Sequence, residues 1–360
     1  MSAESDAAKK AAEYRKRVKD GLDRAYSDPQ LTRRALDPDS DRVIVFSDHH
    51  RGTRDGADDF WRCERAYHAA LGYYLESGHH LYLLGDVEEL WENHPAGPVA
   101  SYAATLALEG QFLAAGRLDR FWGNHDDDWR HEDAVRKHFG ERYPTLVVRE
   151  ALLFEVTRGG RQLGQIFLAH GHQGTLDSDR FSFASRLFVR YGWRPVQRKF
   201  GMASTTPAQD YALRANHDAA MFEWARGRAE HPVLIAGHTH HPVFGGTKPK
   251  TRPERSADVV EHDLEQLQQS GGADPEALAF LRAELEEVRT KPFGDPPREI
   301  SPPCYFNTGC CSFGDGDVTG LEISEGKIRL VRWLDDEGQP RPKLLAEAEL
   351  ETVLGAVGAG

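Results

Sequence analysis

The chain has 360 residues, of which 39% are hydrophobic, enough for one large globular domain or two smaller ones with a substantial buried core. Its 45 Lys and Arg residues against 57 Asp and Glu residues give a net charge of −12, so the chain as a whole does not attract nucleic acid or an anionic membrane. The N-terminal stretch is polar and charged, and no apolar run is long enough to cross a bilayer, so we expect no signal peptide and no integral membrane segment.

The four cysteines are too few and too irregularly spaced for a disulfide framework in a chain of this length. They also lack the C-x-x-C pairs of a structural zinc site. We therefore expect reduced thiols and a cytoplasmic protein. The cysteines are Cys63, Cys304, Cys310 and Cys311.

Short apolar runs alternate with helical patterns after a polar N-terminal segment that is itself predicted to be helical. The stretch 58–77 has helical spacing of its apolar residues, and so does the stretch around 99–116. Alternating strands and helices, with strands that are apolar throughout, predict an α/β fold with a largely buried sheet. The strand-like runs are RVIVFSD (42–48), HLYLLGD (80–86), LDRFWGNHD (118–126), QIFLAHGH (165–172) and PVLIAGHTH (232–240).

Beyond this alternation, the chain shows segments of different character. A basic, aromatic stretch at 188–200 lies between two of the strand-like runs and suggests a lid. Strand patterns return at 304–310 and then at 318–324 and 327–333, where Glu325-Gly326 marks a hairpin turn. The predicted organisation is an N-terminal helical extension (1–41), a main domain (42–345) with a helical lid (173–230) and an inserted helical arm (249–298), and a flexible tail (346–360) that begins as a short helix.

Each of the five apolar runs ends in Asp, Asn or His. In an α/β sheet the ligand site lies outside the carboxyl ends of the strands, so these side chains are expected to meet. In the D-x-H and H-x-H patterns, residues two apart project to the same side of an extended chain. Mixed oxygen and nitrogen ligands suit Mn, Fe, Co or Zn rather than Ca or a thiolate zinc site. The residues are Asp48, His50, Asp86, Asn124, His125, His170, His238 and His240.

The ordered blocks DHH (48–50), GDVEE (85–89), GNHD (123–126), LAHGH with His170, and GHTH (237–240) resemble the calcineurin-like metallophosphoesterases over residues 42–245. The resemblance implies a four-layer αββα sandwich with a dinuclear centre of two divalent ions, which we expect to be Mn, Fe, Zn or Co. The ligands it implies are Asp48, His50 and His240 for one ion, Asn124, His170 and His238 for the other, and Asp86 as the bridge.

The resemblance also implies a chemistry. Two ions about 3.5–4 Å apart acidify a shared water into a hydroxide that attacks a phosphate ester in line. His125 is at the family position of the general acid that protonates the leaving oxygen, and Glu89 is at the position that orients this histidine. His49 is interpreted as a filler between two ligands.

Within this family, the stretch GDVEELW (85–91) is similar to that of bacterial UDP-2,3-diacylglucosamine pyrophosphatases. His172 stands where those enzymes carry an aspartate, and the insertion at 249–298 is not part of their pattern. The metal and acid–base roles are therefore carried over, and the lipid substrate is not.

Three classes of function follow. The first is a phosphohydrolase acting on a phosphomonoester, phosphodiester or pyrophosphate of a small molecule or lipid precursor. The second is a nuclease, which the acidic balance disfavours and the basic stretch 188–200 favours. The third is a non-catalytic interaction module, which ranks last because every ligand position is filled. A protein phosphatase is disfavoured because Leu90 replaces the arginine that those enzymes carry.

Other residues receive weaker assignments. The stretch 126–128 is interpreted as a solvated acidic turn and helix N-cap, and the stretch 305–309 is expected to support the site from beneath. The candidate substrate contacts are Arg51, Arg194, Arg198, His172 and His241.

Overall fold

A computed structural model describes most of the chain. The predicted lid is described only in part, and the predicted arm at 249–298 lies outside the described residues, as do Arg194 and Arg198. The described residues are 3–55, 58, 60–174, 207–245, 303–313, 316–335 and 338–358.

Two mixed β-sheets face each other across a shared apolar core. In the described residues, the first sheet has, in spatial order, β1 (Thr32–Leu36), β6 (Ala151–Arg158), β7 (Arg161–Ala169), β8 (Val233–Ala236), β10 (Tyr305–Thr308) and β9 (Pro242–Val243). The second has β13 (Arg341–Glu349), β12 (Lys327–Leu334), β11 (Val318–Ser324), β2 (Val43–Phe46), β3 (His80–Leu84), β4 (Leu118–Phe121) and β5 (Val148–Arg149).

Helices cover the outer face of each sheet, which gives four layers and confirms the predicted αββα fold class. Helices α1 and α6 pack on the first sheet, α2 and α4 pack on the second, and α7 contacts strands of both. None of the described helices combines the length and apolar character needed to cross a bilayer. The bounds are α1 (Ala3–Tyr26), α2 (Glu64–Glu76), α3 (Ala96–Ser101), α4 (Ala103–Ala114), α5 (Glu132–Phe139), α6 (Pro207–Gly227) and α7 (Leu350–Gly358).

Strand β2 shows why the strand-like runs are apolar throughout. All four of its residues are buried. Val43 and Val45 belong to the core between the sheets, whereas Ile44 and Phe46 belong to the core beneath α2. Because both faces of the strand are buried, both carry apolar side chains. The alternation of polar and apolar residues that marks a half-exposed strand is therefore absent.

Within each sheet, the strands that carry the predicted ligands run parallel to one another, so their carboxyl ends meet at one edge. β2, β3 and β4 are parallel in the second sheet, and β7, β8 and β10 are parallel in the first. The hairpin of β11 and β12 confirms its prediction, since Glu325 and Gly326 have φ angles of 55° and 77° at the turn. Positive φ at both central residues is the requirement of a type I′ turn.

Residues near both ends of the described chain pack into the core between the sheets and helices. The N-terminal segment is helical as predicted, but β1 joins the first sheet beside β6, and Val18 and Leu22 of α1 are fully buried. The segment predicted to be a short helix that frays into a flexible tail completes β13 and forms α7. The buried residues of α7 follow the spacing of an amphipathic helix. They are Leu350, Val353, Leu354 and Val357.

Replacing Leu354 with Ala should therefore destabilise the protein by about 2–5 kcal/mol, because its side chain is only 4% exposed and packs on the first sheet. Leu344→Ala is the matched control, since Leu344 is 53% exposed on β13. The measurement is the free energy of unfolding in urea. Equal, small losses for the two variants would mean that α7 does not dock in solution.

Candidate metal centre

The predicted ligands lie in the loops directly after five strands of both sheets. Asp48 follows β2, Asp86 follows β3 and Asn124 follows β4 in the second sheet. His170 follows β7, and His238 follows β8, in the first sheet. Because these strands end at a common edge, the predicted ligands meet although they are far apart in the sequence. His240 and Asp48, 192 residues apart, lie 3.3 Å from each other.

The ligand atoms form three overlapping clusters, within each of which they lie no more than 4.8 Å apart. In the first, His240 Nε2 lies 3.3 Å from Asp48 Oδ1 and 3.0 Å from His50 Nε2. In the second, His170 Nε2 lies 3.1 Å from Asp86 Oδ2. The clusters are Asp48, His50 and His240; Asp86, His170 and His238; and His50, Asp86 and His125.

Unpaired buried atoms in these clusters fit a metal ion. Asn124 Oδ1 and His170 Nε2 are buried and have no hydrogen-bond partner among the described residues. His170 Nδ1 lies 2.7 Å from the carbonyl oxygen of Leu84, so this nitrogen donates, and in the neutral ring that a metal ion binds Nε2 carries the lone pair. A histidine whose other nitrogen is tied to a carbonyl in this way is the usual arrangement at a metal site.

The electrostatics of the site favour a cation. Burial lowers the pKa of His170, but the carboxylates of Asp86 and Asp48 outweigh it and raise the pKa to about 9. Burial and the neighbouring His217 and His170 hold the pKa of His238 well below its ordinary range, which keeps that imidazole neutral. Fully buried carboxylates that favour positive charge, beside a neutral imidazole, match what a divalent ion requires.

The backbone at the ligands is strained. Among the described residues, eight non-glycine residues have positive φ, and five of them are predicted ligands. Such left-handed conformations cost of order 1–3 kcal/mol each and persist where surrounding structure imposes them, frequently at functional sites. The five are Asp48, His50, Asp86, His238 and His240, with φ between 50° and 70°.

Glycines in the motifs allow the loops to approach each other. A Cβ atom added at Gly85 would lie 2.6 Å from the ring of His170. A Cβ atom at Gly123 would collide with the carboxylate of Asp86, and one at Gly237 with that of Asp48. The Gly in GD, GNH and GHTH is therefore required by close packing between ligand loops.

His125, a member of the third cluster, forms a pair with Glu89. His125 Nδ1 lies 2.7 Å from Glu89 Oε2, and its ring stacks on Trp91 with centroids 4.2 Å apart and planes at 16°. Burial lowers the pKa of His125, but Glu89 and Asp86 raise it to about 9. Its side chain is 26% exposed, so the ring is oriented by Glu89 yet accessible.

Glu89 contacts two histidines at once. Its Oε2 atom also lies 3.2 Å from Nδ1 of His50. Burial raises its pKa, but His125 and His50 lower it to about 2, so Glu89 is an ionised carboxylate that orients both imidazoles.

A supporting layer beneath the ligands was mostly not predicted. His217 of α6 lies 2.7 Å from the Gly171 carbonyl, and its ring centroid lies 4.7 Å from that of His238. Asp218 accepts hydrogen bonds from Thr239 and Tyr305. The sequence carried no local signal for these two residues, which lie in the segment predicted as a lid.

The prediction that 305–309 supports the site is confirmed by Asn307. Its amide donates to the carbonyl of Gly237 at 2.6 Å and to the hydroxyl of Thr239 at 3.2 Å. Thr308 and Ser47 share a hydrogen bond of 2.6 Å, and the Ser47 hydroxyl donates to Asp48.

The interpretation of 126–128 as a solvated turn was wrong for Asp126, which is fully buried. Its carboxylate accepts hydrogen bonds from the backbone of Gly123 at 2.6 Å and Val87 at 2.9 Å, with Asp86 N at 3.3 Å. Buried N–H groups need an acceptor, and Asp126 supplies one to both ligand loops. Asp126 therefore ties the loop after β3 to the loop after β4.

Arg51, one of the candidate substrate contacts, lies in the protein interior. The Arg51 guanidinium is buried, pairs with Glu109 and lies over the rings of Phe60 and Tyr67. Because Arg51 is buried and paired in this way, a phosphate cannot reach it, and the prediction that it contacts substrate was wrong.

Three other histidines near the predicted ligands, His172, His241 and His49, are buried or half-buried. His172 is buried, with its ring 4.8 Å from Trp122 and 5.4 Å from His170. His241 is half-buried. The filler interpretation of His49 agrees with its fully buried ring, which packs 4.7 Å from Tyr67.

Replacing Asp126 with Ala should weaken metal binding by about 10- to 100-fold, because two ligand loops lose their common acceptor. Asp133→Ala is the matched control, since that carboxylate is exposed at the start of α5. Metal affinity is measured by competition with a chromophoric chelator. Unchanged affinity in Asp126→Ala would show that the loops hold their positions without this carboxylate.

No protein-family model and no curated protein matches the chain. Among solved structures, Vacuolar Protein Sorting 29 from Cryptosporidium parvum matches with a TM-score of 0.33 and 12% identity, over 86% of this chain and 98% of that one. A conserved uncharacterised protein from Streptococcus pneumoniae, described as a "predicted phosphoesterase", matches with a TM-score of 0.27 and 13% identity, over 84% and 97%. TM-scores this low carry no argument about function.

Proposed function

We propose that this protein is a metal-dependent phosphohydrolase with a dinuclear centre. The observation that carries the proposal is the convergence of six oxygen and nitrogen ligands in overlapping clusters, together with His125, an imidazole that the two ligand sets do not need. When bound, two divalent ions would lower the pKa of a shared water and neutralise charge on a phosphate group.

The residues divide into two ligand sets and a bridge. Clustering of Asp48 with His50 and His240 supports the first set, and clustering of Asp86 with His170 and His238 supports the second. Asn124 completes the second set, and Asp86 is the proposed bridge. The unpaired, buried Asn124 Oδ1 supports this role, because an amide oxygen without a donor at this depth is costly unless a cation binds it.

His125 is the proposed general acid. Glu89 holds its Nδ1, which leaves Nε2 to deliver a proton to the leaving oxygen of the ester. Stacking on Trp91 restricts rotation of the ring, so that this nitrogen keeps its direction. Because His125 also clusters with His50 and Asp86, its alternative role is that of a further ligand, and variants separate the two roles.

The proposed substrate is the phosphomonoester, phosphodiester or pyrophosphate of a small molecule or lipid precursor, and the ions are proposed to be Mn, Fe, Zn or Co. The nuclease alternative depends on the basic stretch 188–200, which lies outside the described residues. The described site contains no feature that favours it.

Metal-stripped protein should be inactive towards aryl phosphomonoesters and diesters, and single additions of Mn, Fe, Co, Zn or Mg should restore hydrolysis of at least one ester. Asp86→Ala should stay inactive with every metal, because the proposed bridge is lost, while Asp133→Ala should behave like the parent. The measurement is the initial rate with each metal. Full activity in Asp86→Ala would refute the proposal.

His125→Ala should retain two metal ions by elemental analysis but lose about 10²- to 10⁴-fold in kcat on esters with poor leaving groups. On esters with good leaving groups, which need no protonation, the loss should be much smaller. Glu89→Gln should show the same pattern more weakly, because His125 keeps a partner but loses the charge. Loss of metal from His125→Ala would instead make His125 a ligand.

A further inference from the structure

A cavity of about 480 Å³ lies at the edge of the sandwich, beside the amino ends of β3 and β4. This is the opposite end of these strands from Asp86 and Asn124, so the cavity is separate from the candidate metal centre. Its charged lining comes from four strands in both sheets. These residues are Arg34 of β1, His80 of β3, Asp119 of β4 and Arg149 of β5.

Asp119 is buried at the centre of this lining, and both of its carboxylate oxygens have hydrogen-bond partners. Arg34 donates to it from Nη1 at 2.7 Å and from Nη2 at 3.3 Å, and Arg149 donates from Nη1 at 2.9 Å. His80 Nε2 lies 2.7 Å away. Burial raises the pKa of Asp119, but His80 and Arg34 lower it below its ordinary value, so the carboxylate is ionised at neutral pH.

The cavity nevertheless carries an excess of positive charge. Two guanidinium groups face one carboxylate, which leaves a balance of at least one positive charge in a chain whose net charge is −12. The side chains of Arg34 and Arg149 are 34% and 25% exposed, so solvent and small ligands reach them. Arg149 Nε donates to Thr32, while Nη2 of Arg149 has no partner in the described part of the chain.

We propose that this cavity is a second binding site, for a small oxyanion of the phosphate class. Two guanidinium groups held in place by a shared carboxylate offer positive charge at fixed positions, and phosphate oxygens accept charge-assisted hydrogen bonds from guanidinium donors such as Arg149 Nη2. Thr145 adds a hydroxyl to the lining. The site is independent of the proposed hydrolysis, and its test measures no turnover.

The test is calorimetric titration of the metal-stripped, full-length chain with inorganic phosphate, and separately with glycerol phosphate. Parent protein should bind at least one of them with an affinity that falls as salt rises. Arg149→Gln should weaken binding by about tenfold or more, because a charged donor is lost. Arg33→Gln is the matched control, since Arg33 is the exposed neighbour of Arg34 on β1 and pairs with Glu155 instead.

Binding of both anions would assign the site to the phosphate group itself, whereas binding of glycerol phosphate alone would assign it to an organic phosphate. Arg149→Lys keeps the charge beside Asp119 but not the fork, so it should bind with intermediate affinity, and it replaces Arg149→Gln if that variant does not fold. Absence of binding at millimolar anion, or equal affinity in parent, Arg33→Gln and the Arg149 variants, would overturn the proposal and leave the cluster as an inter-sheet ion pair.

Discussion

The candidate site depends on the compensation of two fully buried carboxylates, Asp48 and Asp86. A buried charge is costly unless donors or cations satisfy it, and both sheets contribute to that requirement here. Both oxygens of Asp48 accept from the backbone of His238 at 3.0 and 3.1 Å, and Asp86 accepts from the backbone of His125 at 2.8 Å. The loops therefore bind to each other through these two side chains, which links the ligand geometry to the stability of the fold.

This compensation accounts for the unusual backbone of the site. Left-handed φ angles at five predicted ligands turn the loops after β2, β3 and β8 sharply, and the main chain of the loop after β8 donates to Asp48. Glycine is required where the loops touch, as at Gly237 against Asp48. The strain is balanced by hydrogen bonds that a relaxed loop would not make, and metal ions would satisfy the atoms that remain unpaired.

A second set of buried charges lies beneath the loops of the second sheet. Arg51 pairs with Glu109, and Arg120 pairs with Glu88, to which Trp129 also donates at 2.8 Å. Such buried networks are weak evidence for stability, but losing one member leaves an uncompensated charge. Because Arg51 and Glu88 are next in sequence to His50 and Glu89, the network holds the backbone on which these site residues are built.

The sequence by itself determined which residue types end each strand and in what order, because these are local relations between an apolar run and the residue that follows it. It therefore predicted the fold class and pointed to Asp48, Asp86 and the residues that cluster with them as candidate ligands. It did not reveal the roles of Asp126, His217 or Arg51, whose partners lie on other elements. Only the tertiary structure decided these roles, because local periodicity carries no information about contacts between distant elements. The order of the strands, for example, brings Asp48 and His238, 190 residues apart, into hydrogen-bonding distance.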